Sequence, residues 1–495
     1  MALTRRSFFT AAGLIAGGGL VSPSISLARE SANPGAKPRH IIHLVSDGMS
    51  SGTLSCSNEL SHLLRKRPLT WINLLNQPNV VSSTMNMRSL NSYVTDSSAA
   101  SSSWGSGSRI VNGGVNILPD GRSLKPLYEI LKEAGWKRGL VTTTEITHAT
   151  PAGFVAKGLK RDAAEQIALQ YLSQKVEVLL GGGSKFFTAT ERGDKKDLLK
   201  EYQNNDYVIC QNADDLKNAD NTKSWLGIFS KSHLPYTIDQ IASDDLTRKI
   251  PTLAQMTRRA LDKLMQADRF ILQVEGGRVD HAAHTCDAAS AFRDQIAFDE
   301  AIDVCLDFQK KHPETLIVIT TDHGNGNPAL NGSGEIYGKS NALLANLKKV
   351  RRSFSAVFEE IEGVKTGNST EIRRILSDAF GTKVPWVKVG QLMRYFEGEQ
   401  AALYDLMNSP ECHLGQFVAN FTGIGWTGNA HTGDYVPLVA VGPGAEDFRG
   451  FIQNIDIFDR YMKFAGIDFR NPVAEESDEV AYSRENRAEY RKFHA

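Results

Sequence analysis

The sequence predicts an α/β fold, a large, mainly parallel central sheet flanked by helices on both faces. Three observations predict it. Short apolar runs recur along the 495 residues, each bounded by turn or polar residues, as buried parallel strands require. Helical patterns alternate with these runs, which is the order that wraps a parallel sheet in helices. Several runs are followed by acids, histidine or threonine, at the strand ends where open α/β sheets place their ligands.

The strand-like runs are residues 41–45, 139–141, 176–180, 270–274, 316–319 and 437–441, all read as parallel. Residues 251–266 read as a helix, with Leu253, Met256, Ala260, Leu261 and Leu264 at helical spacing and Pro251 placed to start it. Between His323 and His431 the texture changes. Amphipathic helices are expected over 341–363, over 369–380 with Gly381 as the stop, and over 390–407 with Gly398 as a weak point. Residues 326–425 thus read as a mostly helical, crown-like insertion that decorates the site rather than building it, with a separately folded second domain as the alternative. The expected division is a leader over 1–28, a catalytic α/β domain over 29–325 and 426–470 around that insertion, and a charged tail over 471–495.

Composition narrows the function classes. With 41% apolar and 23% charged residues the chain is an ordinary globular one, and 56 basic against 56 acidic residues give no nucleic-acid footprint. No internal run nears the roughly 20 apolar residues of a membrane span. Thr4-Arg5-Arg6-Ser7-Phe8-Phe9 precedes a Gly/Ala-rich apolar stretch ending in Ser26-Leu27-Ala28, with no acid before Glu30. This pattern resembles a twin-arginine export signal, so a periplasmic or secreted protein is expected. The five cysteines show no C-x-x-C pairing. Twin-arginine cargo folds before export in a reducing compartment, so buried free thiols are expected.

The chemistry begins at Tyr93-Val-Thr-Asp-Ser-Ser-Ala-Ala, where Asp96 stands beside Ser97. A serine hydroxyl needs a base or a metal to become nucleophilic, and no G-x-S-x-G elbow surrounds this one. In Glu275-Gly-Gly-Arg-Val-Asp280-His281-Ala-Ala-His284, Asp280 and His284 share one helix face, and mixed carboxylate and imidazole ligands suit zinc. Glu275 lies off that face and is expected to serve another ion. Asp322-His323-Gly324 and Asn429-Ala-His431 add further ligand types. Five of the 12 histidines (His148, His281, His284, His323 and His431) fall in these short motifs. Asp47, Glu275, Asp280, His284, Asp322, His323 and His431 at one sheet edge would repel or stay unpaired without cations. They are too many for one tetrahedral zinc, and they suit two zincs about 4 Å apart with a harder, oxygen-liganded ion.

The ordered set Asp47-Gly-Met, Val94-Thr-Asp-Ser97, His148-Ala-Thr150-Pro, Leu180-Gly-Gly-Gly, Val274-Glu-Gly-Gly-Arg-Val-Asp280-His281, Thr321-Asp-His323 and His431-Thr-Gly resembles the alkaline phosphatase family. The match runs from about residue 40 to 325 and resumes at about 428 to 465. The resemblance implies hydrolysis of phosphate monoesters through a phosphoserine, in a homodimer. It implies one zinc on Asp280, His284 and His431 and a second on Asp47, Asp322 and His323. Magnesium would fall to Asp47, Thr150 and Glu275. Ser97 aligns with the nucleophile, with Ser98 taking that place if the alignment slips by one, and Arg161 aligns with a phosphate clamp. His148 and His281 are expected behind the ligands, acting on metal or phosphate through water. Two other classes stay open: a phosphodiester or phosphonate hydrolase on the same scaffold, and a non-enzymatic metal-binding protein.

Overall fold

Ten strands form one sheet in the computed structural model, which describes residues 37–364, 368–396, 398–399 and 401–474. The leader expected over 1–28 and the tail beyond residue 474 lie outside the described residues. In chain order the strands are β1 (His40–Val45), β2 (Val80–Asn86), β3 (Lys137–Glu145), β4 (Val178–Gly182), β5 (Tyr207–Cys210), β6 (Ser224–Ile228), β7 (Phe270–Glu275), β8 (Thr315–Thr320), β9 (Val436–Val441) and β10 (Gly450–Gln453). Their spatial order is β10-β2-β9-β8-β1-β7-β3-β4-β6-β5.

Strand β1 is the axis of the sheet and pairs in parallel with β8 and β7. All six of its residues are buried, the mark of a strand covered on both faces. Ile42 and Leu44 enter one apolar layer, with Leu261 and Ile302, while Ile41 and Val45 enter the other, with Trp104, Phe154 and Tyr461. Each fully buried Leu or Ile contributes about 1.5–3 kcal/mol against leaving it in water. The helix read over 251–266 spans Leu253–Leu264; Thr252 caps it in a reciprocal box with Gln255, and its five expected apolar residues are all buried.

Three expectations need correction. The strand read over 437–441 is antiparallel to both neighbours, β8 and β2, and is the one strand of the described sheet that runs against the rest. Burial on both faces looks the same whichever way the neighbours run, so an apolar run carries no direction. The chain also enters β9 from a helix and short ribbons and not through a βαβ crossover, so the handedness rule for crossovers does not constrain it. Second, 341–363 is not one helix. It breaks into Ser340–Ala345, a 3₁₀ turn at Asn346–Lys349 and Phe354–Glu362, because Ser353 caps the last of these through the Ala356 amide. The Ser353 amide itself donates to Asp239 Oδ1, 114 residues earlier in the chain. Third, the helix expected over 390–407 spans Trp386–Phe396, and a helix not foreseen follows at Pro410–Thr422.

Two short antiparallel ribbons join the two ends of the stretch between residues 324 and 432. Ala329–Leu330 pairs with Ile424–Gly425, and Gly324–Asn325 pairs with His431–Thr432. The second ribbon brings His431 opposite Asn325, two residues after His323.

Candidate metal centre

Register places the first ligands. Val45 pairs with Thr320 on one side and with Glu275 on the other, so Asp47 and Asp322 leave their strands at the same level beside Glu275. Gly48 then lets the chain turn at φ +69°, and a Cβ there would fall 2.3 Å from Asp280 Oδ1. Only glycine permits both the left-handed turn and that approach. Asp280 and His284 stand on the helix Arg278–His284, with Asp280 Oδ2 3.3 Å from His284 Nε2.

Ser97 opens the helix Ser97–Ser106, whose N-cap is Asp96. The Ser/Ala/Gly run is explained by packing: Cβ atoms at Gly105 and Gly153 would strike Gly153 O and the Ser101 side chain, so this helix and Ala149–Val155 meet backbone to backbone. Ser101 Oγ donates to the Thr150 carbonyl at 2.6 Å, which ties the two ligand-bearing turns together. Ser97 Oγ lies 3.2 Å from His323 Nε2. Ser98 Oγ instead donates to Asp96 Oδ2 at 2.8 Å.

Three groups of donor atoms result: Asp280, His284 and His431; Asp47, Asp322 and His323; and Asp47, His148 and Glu275. Asp47 belongs to two of them. Thr150 joins the third, its Oγ1 donating to Asp47 Oδ2 at 3.4 Å. The donor set fits cations on several grounds. Each of the three ligand-type histidines has Nδ1 against a backbone carbonyl: His284 on Asn429 at 2.6 Å, His431 on Thr95 at 2.9 Å and His323 on Gly324 at 3.2 Å. Donation from Nδ1 leaves each Nε2 with a lone pair facing the acids, the tautomer a metal needs. The Nε2 atoms of His284 and His431 then face each other at 3.1 Å, an arrangement a shared cation explains. Asp47 Oδ1, Glu275 Oε1 and His148 Nδ1 are buried without a hydrogen-bond partner. Unpaired buried acids of this kind are costly unless an ion compensates them.

Protein charges alone hold the groups in distinct states. Burial raises the Asp47 carboxyl well above the usual range, and the Asp322, Asp280 and Glu275 carboxylates raise it further. Burial would lower His323, but Asp322 at 3.1 Å outweighs it and holds the imidazole up at about 8. Burial and the neighbouring His323 take His431 down to about 4.

Arg161 is fixed beside the serine. Its Nη1 donates to Asp96 Oδ2 at 3.0 Å, and its own amide donates to the Gly113 carbonyl. Burial would raise Asp96, but Arg161 and the amides of Ala99 and Gly113 hold it below the usual carboxylate range. His281 joins none of the three groups. It accepts from Arg278 Nη1 at 2.7 Å through Nδ1, and its ring packs edge-on against His148 and His233.

Several supporting residues carry no sequence signal of their own. Thr142 and Thr144 both donate to Glu275 Oε2, and Asn325 Nδ2 donates to Asp280 Oδ1 at 2.7 Å. Thr142 and Thr144 lie at the end of β3, beyond the 139–141 strand read from the sequence. His233, wedged between His148 and His281, had no motif around it.

The family model for alkaline phosphatase matches residues 38–467. The chain belongs to the alkaline phosphatase family. It is 32% identical to Alkaline phosphatase 3 of Bacillus subtilis over 379 residues, covering 75% of this chain and 77% of the relative. It is 28% identical to the alkaline phosphatase of Schizosaccharomyces pombe across 87% of this chain and 82% of that one. Among solved structures, the alkaline phosphatase of Thermus thermophilus superposes with a TM-score of 0.85 at 30% identity, covering 94% of this chain and all of that one. Membership makes the chain a hydrolase, and the family and fold support phosphate monoesters as its substrates. No helix among the described residues is long and apolar enough to cross a membrane.

Proposed function

We propose that the chain hydrolyses phosphate monoesters through a phosphoserine on Ser97, with two zinc ions and one magnesium ion. Zinc would be held by Asp280, His284 and His431 and by Asp47, Asp322 and His323, and magnesium by Asp47, Thr150 and Glu275, with His148 beside it. Bound there, zinc supplies Lewis acidity that favours the ionised hydroxyl and neutralises charge on a departing oxygen, and magnesium supplies a hydrated outer ion.

The chain's own groups supply the rest. Ser97 Oγ attacks phosphorus in line, a bond forms between them, and the ester P–O bond breaks with its electron pair on the leaving alcohol. Water then displaces Ser97 Oγ and releases inorganic phosphate. Arg161, steadied by Asp96, holds two non-bridging oxygens in a fork and so favours a dianionic monoester over a diester. His281 lies farther back and orients this pocket through His148. The observation that carries the proposal is Ser97 Oγ at 3.2 Å from His323 Nε2, with Ser98 turned away onto Asp96.

The proposal extends to the whole chain: residues 1–28 as a twin-arginine leader, export to the periplasm or medium, residues 326–425 as an insertion on the catalytic domain, and a homodimer. The test is phosphate release from a monoester and a diester before chelation, after chelation, and after adding zinc and magnesium back. Metal-dependent preference for the monoester is expected, lost in Ser97→Ala and kept in Ser98→Ala. A diester preference, or activity that survives exhaustive chelation, overturns the proposal.

A further inference from the structure

All five cysteines are buried and free, as the sequence suggested, yet two of them meet. Cys286 Sγ lies 3.3 Å from Cys412 Sγ, across 126 residues of chain. Cys286 follows the helix that carries His284 and sits in the left-handed region at φ +54°. Cys412 lies in the first turn of the helix Pro410–Thr422 of the insertion. The encounter is built by packing. One turn further along that helix, a Cβ at Gly415 would lie 2.6 Å from Cys286 Cβ and 2.9 Å from its carbonyl oxygen, so glycine is what lets the helix close on Cys286. The pair forms a small cluster of its own with Met407, against Ala402 and Trp426, outside the two main apolar layers. Leu403, Tyr404 and Leu406, next in sequence to the Ala402 and Met407 of this cluster, are all exposed. The phosphate chemistry uses neither thiol.

We propose that Cys286 and Cys412 are a peroxide-oxidisable pair that closes to a disulfide in the folded protein. Hydrogen peroxide is little larger than water, and bond formation needs a shift of about 1 Å shared between two side chains. One sulfur attacks hydrogen peroxide, the O–O bond breaks, and a sulfenic acid and one water result. The second sulfur then attacks the sulfenic sulfur. The S–S bond forms, the S–O bond breaks, and the hydroxyl leaves with the remaining thiol proton as a second water. Two thiols lose two electrons in all, and one peroxide gains them. The product ties the turn after His284 to the insertion by a covalent link that a dithiol reverses.

The test uses the folded full-length enzyme, treated with hydrogen peroxide and then blocked with an alkylating agent in denaturant. Expected are two fewer alkylated cysteines, a cross-linked peptide pair containing Cys286 and Cys412, and recovery of both thiols after dithiothreitol. The same loss is expected in Cys305→Ala and not in Cys412→Ser. Because the peptide map of the unaltered protein carries the result, it does not depend on a variant folding. Persistence of all five thiols at a dose that oxidises an exposed control cysteine overturns the proposal. So does a different pairing, or irreversible oxidation of either sulfur.

Discussion

The two zinc-type groups differ in how they are closed. The side chains of Asp47, Asp322 and His323 are at most 1% exposed, whereas His284 is 39% and His431 16% exposed. The closed group is made by neighbouring strands β1 and β8, in a register fixed by six paired residues. The open group gathers a helix and a two-residue ribbon that lie 147 residues apart in sequence. Under the proposed mechanism, rigid sheet register would suit the centre that holds Ser97, and a looser, wetter assembly would suit exchange of a leaving group and water. The two centres therefore differ in what supports them as well as in their ligands.

The largest expected effect comes from breaking the closed group. Asp322→Asn should lower phosphate release by roughly 10³-fold, with zinc content that excess metal does not restore, because no water can take the place of a wholly buried ligand. His431→Gln in the open group should cost roughly 10²-fold and recover in part with added zinc. Equal losses with equal rescue would erase the distinction between the groups. Chelation should sharpen it further: zinc should appear in the filtrate in two phases, the faster one from the open group. A single phase would show one coupled site. A smaller effect is expected from Asn325→Ala, which removes the donor to Asp280. About a 10-fold loss of zinc affinity should be confined to the open group, as titration with a competing chelator would show.

The smallest effect is a pH dependence of the metal-free protein. His323 is held at about 8 against an ordinary value of 6.5, so its ion pair with Asp322 contributes stability that is full below 6.5 and lost as pH rises through about 8. Asp47, raised by burial and its acidic neighbours, acts in the same direction. The buried imidazoles of His40, His43 and His431, held low by burial, act in the opposite direction, so the effect is read as a difference: the Tm advantage of the chelated protein over chelated His323→Gln should shrink between pH 6 and pH 9, and metal loading should remove that pH dependence because binding displaces those protons. An advantage that does not shrink over this range would mean that His323 is not paired as described.

Much of the centre was legible because its first signals are local. An acid or histidine just beyond an apolar run needs only the strand and the loop after it to reach the sheet edge, so Asp47, Glu275, Asp322 and His323 could be placed there from the residues alone. The i, i+4 spacing did the same for Asp280 and His284. What stayed hidden depends on partners far away in the chain. The direction of β9 is set by its neighbours and not by its own residues. Cys286 and Cys412 meet only because Gly415 lets the helix Pro410–Thr422 close on the turn after His284.

By itself, the sequence determined the α/β class, the family, and which strand ends carry oxygen and nitrogen donors. Only the tertiary structure decided that Ser97 and not Ser98 faces His323, that Arg161 is held by Asp96, and that the ribbon sets His431 against His284. Periodicity and turn chemistry act over a few residues and can be read along the chain. Hydrogen-bond partners, strand direction and side-chain facing are settled by packing between segments, which no local pattern records.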